Sequence, residues 1–200
     1  LPIFLSDEIY EHLVYGPARH ISIAQLSPEL QKRTILINGL SKAYAMTGWR
    51  VGYSAAPREL SRRIAAMQGQ TTHHPAVPSQ IAAEAALKSG LQTVHEMRDE
   101  FAKRGLFLFQ ELQKIPGLHP RQAEGAFYLF VDVRPFLGVT VNRFPINSAM
   151  ELCQWLLEEH HLAAIPGEAF GVDGYIRLSY TTSMERLKEA VQRLNRAFSQ

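Results

Sequence analysis

Apolar and polar positions alternate between two regimes along the chain. Residues 1–5, 34–37 and 50–55 are short, mostly apolar runs that predict buried strands. Pro57 opens a helix that the apolar spacing carries to about Gln70, and the polar stretch Thr71-Thr72-His73-His74-Pro75 reads as a loop. Pro78 sits in the first turn of the next helix, which runs through Ala82, Ala83, Ala85, Ala86 and Leu87 to a stop at Gly90. A longer helix is predicted from about Thr93 to Ile115. Its Met97, Phe101, Leu108, Leu112 and Ile115 keep helical spacing, and Pro116-Gly117 ends it.

The remainder carries a pattern complete in itself. Strands are predicted at 126–131, 162–165 and 175–180. A helix starts at Ser148 with Glu151 as a capping box, and a last helix uses Thr182 and Glu185 in the same way, with Leu187, Val191, Leu194 and Phe198 on one face. Alternating strands and helices argue for an α/β fold, and the pattern divides inside the long helix: residues 1–100 belong to one domain and 101–200 to a second. No internal repeat or low-complexity tract interrupts it.

Composition narrows the function only by exclusion. With 46% hydrophobic and 20% charged residues the chain reads as an ordinary globular protein, and a net charge of +2 without a basic run gives no reason to expect nucleic acid or an anionic membrane as partner. The single Cys153 rules out an internal disulfide and suits a reducing compartment, so a cytoplasmic location is expected. No apolar run approaches the roughly 20 residues that span a bilayer. The first residues carry no basic signal-peptide region and no initiator methionine. A domain does not normally begin in mid-sheet, as a strand at residues 1–5 would make it do, so an N-terminal part is expected to be missing.

Candidate chemistry concentrates between Asn38 and Gly52. Lys42 lies between a short strand and a glycine-punctuated segment, where its amine can be held rigidly in a cleft as Schiff-base chemistry requires. Arg50, eight residues on, offers a planar, permanently charged fork suited to phosphate. The bland alternatives are a solvated lysine and a surface ion pair. Gly48, Trp49, Val51 and Gly52 around Arg50 are groups that bury, which favours the site.

The run Gly39-Leu40-Ser41-Lys42 through Arg50-Val51-Gly52 resembles the pyridoxal-phosphate attachment segment of class I/II aminotransferases, most closely the aspartate aminotransferase-like members. Ser6-Asp7-Glu8-Ile9-Tyr10 upstream, and Pro166-Gly167-Glu168-Ala169-Phe170-Gly171 and Ile176-Arg177-Leu178-Ser179-Tyr180 downstream, reinforce it in the expected order. The resemblance implies the C-terminal half of such an enzyme: the end of the large cofactor-binding α/β domain followed by the small C-terminal domain. Members are roughly twice as long. The half not seen here would carry a glycine-rich phosphate-contacting turn, an aromatic that stacks on the cofactor and an asparagine near its phenolic oxygen.

The resemblance also implies roles. Lys42 would bind pyridoxal 5'-phosphate covalently and move the substrate proton. Asp7, at a strand's end, would keep the pyridine nitrogen protonated, Tyr10 would reach the neighbouring ring oxygen, and Arg50, helped by Ser41 or nearby amides, would hold the phosphate. Taken alone, Asp7 could equally be a helix N-cap. In the last strand Tyr175, Arg177 and Ser179 share the face away from Ile176, Leu178 and Tyr180. There Arg177 would clamp the α-carboxylate of the substrate, its alternative being a strand-surface arginine. Amino-acid and 2-oxo-acid substrates and a homodimer follow by the same likeness. A lyase of this fold, or an aminotransferase-like sensor domain of a transcription regulator, remains open.

Other clusters carry less. His73-His74 and His160-His161 are adjacent in sequence and so point in different directions, which disfavours a metal, and none is expected. Gly167 to Gly171 lacks the Lys-Ser/Thr of a phosphate loop. Phe107, Phe109, Phe127, Tyr128 and Phe130 have no interleaved basic residues and are expected in the core.

Overall fold

The computed structural model describes residues 3–141 and 144–198; Leu1 and Pro2, predicted to open the first strand, lie outside the described residues. The chain divides into two compact units, one up to Arg98 and one from Asp99 on.

The first unit holds β1 (Phe4–Asp7), α1 (Pro28–Gln31), β2 (Thr34–Gly39) and β3 (Gly52–Ala55). They form a sheet in the order β1-β2-β3, with β1 parallel and β3 antiparallel to β2. α2 (Arg58–Thr71) and α3 (Val77–Lys88) follow close to the predicted bounds, each opened by a proline, and α4 (Gln92–Leu112) ends slightly short of Ile115. The burial expected of the outer strands is not found: Leu5 is 71% exposed, and every residue of β3 is exposed. Residue type fixes a strand locally, but burial needs a covering layer, and the described residues supply none over β1 or β3. A small buried cluster of Leu40, Met46 and Ala83 does form. Tyr44, Val51, Ala82 and Ala86 pack on it, the alanines of α3 letting that helix approach the loop after β2.

The second unit contains β4 (His119–Pro120), β5 (Tyr128–Asp132), β6 (Val139–Val141), β7 (Phe144–Ile146), α5 (Ala149–His160), β8 (Ile165–Pro166), β9 (Tyr175–Ser179) and α6 (Met184–Phe198). Its antiparallel sheet has the order β4-β5-β9-β8, and β6 and β7 pair as a hairpin. Leu129 and Val131 of β5 and Ile176 and Leu178 of β9 are buried, as are Leu152 and Leu156 of α5 and Leu187, Val191 and Leu194 of α6. Burying each such side chain stabilises by about 2 kcal/mol. The opposite face of the strand pair sets Tyr128, Phe130 and Asp132 against Ser179, Arg177 and Tyr175.

Several boundaries differ from expectation for local reasons. Ala126 takes a left-handed φ of 57°, so β5 starts at Tyr128 rather than at 126. The strand expected at 162–165 shrinks to Ile165–Pro166 because Leu162 donates its N–H to Leu156 O at 3.0 Å, closing the end of α5 after a left-handed His161. Ser183 rather than Thr182 caps α6, accepting the Arg186 N–H at 3.3 Å. At α5 Ser148 accepts the Glu151 N–H at 3.1 Å as predicted, while the Glu151 carboxylate accepts from Asn147 N–H.

Candidate active site

Parallel pairing aligns Asp7 with Ile37, and antiparallel pairing sets Gly52 beside Gly39. The carboxyl ends of β1 and β2 and the entrance to β3 therefore share one edge of the sheet. Ligands of α/β sheets are met at such an edge. Asp7, Tyr10, Ser41, Lys42 and Arg50 all lie in segments that leave or enter the sheet there. A Cβ on Gly52 would fall 2.9 Å from Asn38 O, and one on Gly39 would fall 3.1 Å from Gly52 Cα, so glycine at both positions is what lets β3 begin beside the lysine turn.

That turn is pinned from below. Leu40 O accepts the N–H groups of Tyr44 at 3.2 Å and Met46 at 3.3 Å, Lys42 O accepts the Ala45 N–H at 3.3 Å, and Ala45 closes the turn with a left-handed φ of 53°. Leu40, Ala43 and Met46 are buried, and Ser41 and Lys42 half-buried. The backbone that carries Lys42 is thus anchored on both sides by residues of the core cluster, Leu40 and Met46.

Asp7 is exposed, and its Oδ1 accepts the Ile9 N–H at 3.1 Å, which makes it a cap for the turn that carries Tyr10. Its Oδ2 has no protein partner among the described residues. The carboxylate can therefore cap and still receive a donor from a ligand. Arg50 departs from expectation: it lies outside β3, adopts a left-handed φ of 52°, is exposed, and has a 47% exposed Trp49 beside it instead of buried neighbours. One guanidinium N–H goes to Thr47 O at 2.9 Å, and no carboxylate pairs with it among the described residues. The rest of its fork is open to an anion.

Glu8, next to Asp7, is a hub that its sequence neighbourhood does not announce. It is buried and accepts from Ser22 Oγ at 2.6 Å, His20 Nε2 at 2.8 Å and Ser6 Oγ at 3.0 Å. Burial pushes its pKa up, but the hydrogen bonds from Ser22, His20 and Ser6 outweigh that and hold it below the usual value. Glu8, Glu11 and His20 bring ligand atoms within 4.8 Å of one another. Both carboxylates are engaged by protein donors, Glu11 by Asn38 Nδ2, whose Oδ1 accepts the Gly39 N–H at 2.7 Å. The network ties the turn after β1 to the end of β2.

Arg177 lies in the second unit, at the middle of β9 opposite Phe130. Its Cζ is 4.3 Å from the centre of the Tyr128 ring and 4.5 Å from that of Phe170, and the guanidinium makes no hydrogen bond or ion pair among the described residues. Tyr128 and Phe130 are therefore not core residues: both are half-buried on the outer face, whereas Phe127 is buried. The period-two alternation with Leu129 and Val131 already carried that distinction. Phe170 is delivered by the single turn Gly167–Phe170, in which a Cβ on Gly167 would overlap Val172 O and lie 2.8 Å from Tyr175 O. Glu168 fastens this turn to α5 by accepting the Ala149 N–H at 3.1 Å.

A model of the family described as aminotransferase class I and II matches residues 3–194. The chain belongs to that family. The aspartate aminotransferase of Rhizobium meliloti (strain 1021) is 44% identical over 191 residues, covering 95% of this chain and 47% of that protein. The aspartate/prephenate aminotransferase of Nitrosomonas europaea is 41% identical over 194 residues, with 96% and 49% covered. Among solved structures, the Rhizobium meliloti aspartate aminotransferase superposes with a TM-score of 0.93 at 42% identity over 98% of this chain and 50% of that one. The aromatic aminotransferase of Pyrococcus horikoshii OT3 does so with 0.89 at 38% identity, over 98% and 51%. The fold is that of the aspartate aminotransferases, and the chain spans about half the length of the curated relatives it matches. No helix among the described residues of this aminotransferase-family chain is long and apolar enough to cross a membrane.

Proposed function

We propose that this chain supplies the lysine-bearing half of a pyridoxal-phosphate-dependent aminotransferase, which moves an amino group between an aspartate-like or broader range of amino acids and a 2-oxo acid. One observation carries the reading: in a chain of this family, Lys42 stands in a pinned turn at the same sheet edge as Asp7, whose second carboxylate oxygen is open. The names of the relatives, aspartate and aspartate/prephenate aminotransferases, support the substrate class.

The residues present fit the cofactor. Asp7 offers an unengaged oxygen to a protonated ring nitrogen, and Tyr10, in the turn that Asp7 caps, offers a hydroxyl. Arg50 offers to a phosphate the part of its fork not given to Thr47 O, with Ser41 beside the lysine as a second donor. The cofactor, when bound, supplies the electron sink for a carbanion at the substrate Cα. Lys42 would hold it covalently, and its amine is the group that would take the substrate Cα proton and return it. Arg177 presents its in-plane N–H donors to the substrate α-carboxylate. The boundary near residue 100 separates, on this reading, the end of the cofactor domain from the small domain, and the working form is a cytoplasmic homodimer.

Incubating the chain with pyridoxal phosphate, reducing with borohydride and mapping peptides tests the assignment. The pyridoxyl mass is expected on Lys42 and lost in Lys42→Ala; a label spread over other lysines without preference for Lys42 overturns it. In the whole enzyme, aspartate with 2-oxoglutarate should yield glutamate. Ammonia release instead indicates a lyase, and cofactor binding without turnover indicates a sensor. These 200 residues alone should transfer amino groups poorly, since the matched relatives are about twice their length; robust turnover by the chain alone would contradict this.

A further inference from the structure

The outer face of β5 and β9 carries an ordered row of rings and cations. Phe130 stacks on Tyr175 with centroids 5.0 Å apart and planes 8° from parallel, and meets Phe170 edge-on at 6.2 Å. Arg134 lies over Tyr175 at 5.7 Å and is held by Asp132, whose carboxylate takes its Nε at 3.0 Å and its Nη2 at 2.6 Å. Arg177 is the other cation of the row. It differs from Arg134 in having no carboxylate: its only partners among the described residues are the Tyr128 and Phe170 rings.

The two rings make no ring contact with one another, although each lies within 4.5 Å of the same carbon. They flank the guanidinium from different sides. A guanidinium with one ring over each of its faces could be approached only in its own plane, along the edge where its N–H donors point. A carboxylate is flat and can enter there with both oxygens. A phosphonate or sulfonate is tetrahedral; with two oxygens in the plane its third oxygen and its substituent project toward the rings.

We propose that Tyr128 and Phe170 form a slot that makes Arg177 selective for planar carboxylates over tetrahedral anions, the two rings acting as positioning residues for the guanidinium. This rests on the reading of Arg177 as the carboxylate-binding group and adds the reason its ligand must be flat. Charge cannot produce the same preference, because a methylphosphonate carries at least as much negative charge as acetate.

The test uses the full chain with nitrogen-15 label, following the Arg177 Nε–H signal during titration with acetate and with methylphosphonate. Acetate should bind about tenfold more tightly, since the tetrahedral anion keeps only one of two charge-assisted hydrogen bonds. Phe170→Leu and Tyr128→Leu should bring the two affinities within about threefold of each other while the signal still titrates. Phe170→Tyr and Tyr128→Phe, which keep the rings, should preserve the preference. Equal affinities in the unsubstituted chain, or a preference that survives in both leucine variants, would overturn the slot while leaving Arg177 as the carboxylate-binding group. Failure of acetate to move the Arg177 signal overturns both.

Discussion

Gly105 of α4 lies against the ring of Tyr180: a Cβ on it would fall 2.9 Å from Tyr180 Cζ and 3.1 Å from the hydroxyl oxygen. Tyr180 is fully buried, with Phe101 edge-on at 6.5 Å and Ala126 O accepting its hydroxyl at 3.4 Å, so the ring has no room to retreat. Alanine within a helix normally stabilises by about 1 kcal/mol relative to glycine, whereas overpacking a tight core costs about 1–3 kcal/mol. Gly105→Ala is therefore expected to destabilise by about 1 kcal/mol, read by urea denaturation, where a gain in stability would contradict the packing.

A substitution at Asp7 can test folding and the proposed chemistry separately. The residue is exposed and makes one hydrogen bond to the Ile9 N–H, so Asp7→Ala should cost less than about 1 kcal/mol of stability. If it faces the ring nitrogen of the cofactor, the same change should lower amino transfer by the whole enzyme by about a hundredfold or more. Steady-state kinetics beside a thermal melt measure both, and unchanged turnover removes Asp7 from the site.

Glu8 gives a pH signature. Its folded pKa lies below its ordinary value of 4.5, so the stability its charge contributes is fully present above that value and is lost as pH falls through the lower folded one. Glu8→Gln should cost about 1–3 kcal/mol at neutral pH by disturbing the bonds from Ser22, His20 and Ser6, with the difference from wild type shrinking in acid. A difference independent of pH would show that the charge is not what holds the hub.

Cys153 should be inert while the protein is folded. Burial in α5, with the Glu168 charge adding to it, pushes its thiol up to about 12, leaving almost no thiolate near neutrality. A thiol-disulfide reagent is expected to modify it only after denaturant is added. Rapid native labelling would mean that α5 opens locally.

How much of this could be read from the sequence depends on the range of the interaction concerned. α2, α3 and α5 were legible because prolines, caps and apolar spacing act within a few residues. The placing of Asp7, Ser41 and Lys42 at or just after the carboxyl ends of β1 and β2 was legible because each follows a short strand signal. Glu8 was not, since its donors Ser22 and His20 are brought to it from a separate loop. Nor were the exposed surroundings of Arg50, because residue type cannot say whether a covering layer is present. Tyr128 was misread through composition, although the alternation of its own strand already turned it away from the core.

The double acceptance at the Leu40 carbonyl ties the main chain on the far side of Lys42 back to the residue two before it. On the proposed reading, a loop held in this way leaves movement of the amine to rotation about the four methylene carbons of the side chain. Reactions that need a longer reach at this position would require a rebuilt loop, not a more supple one.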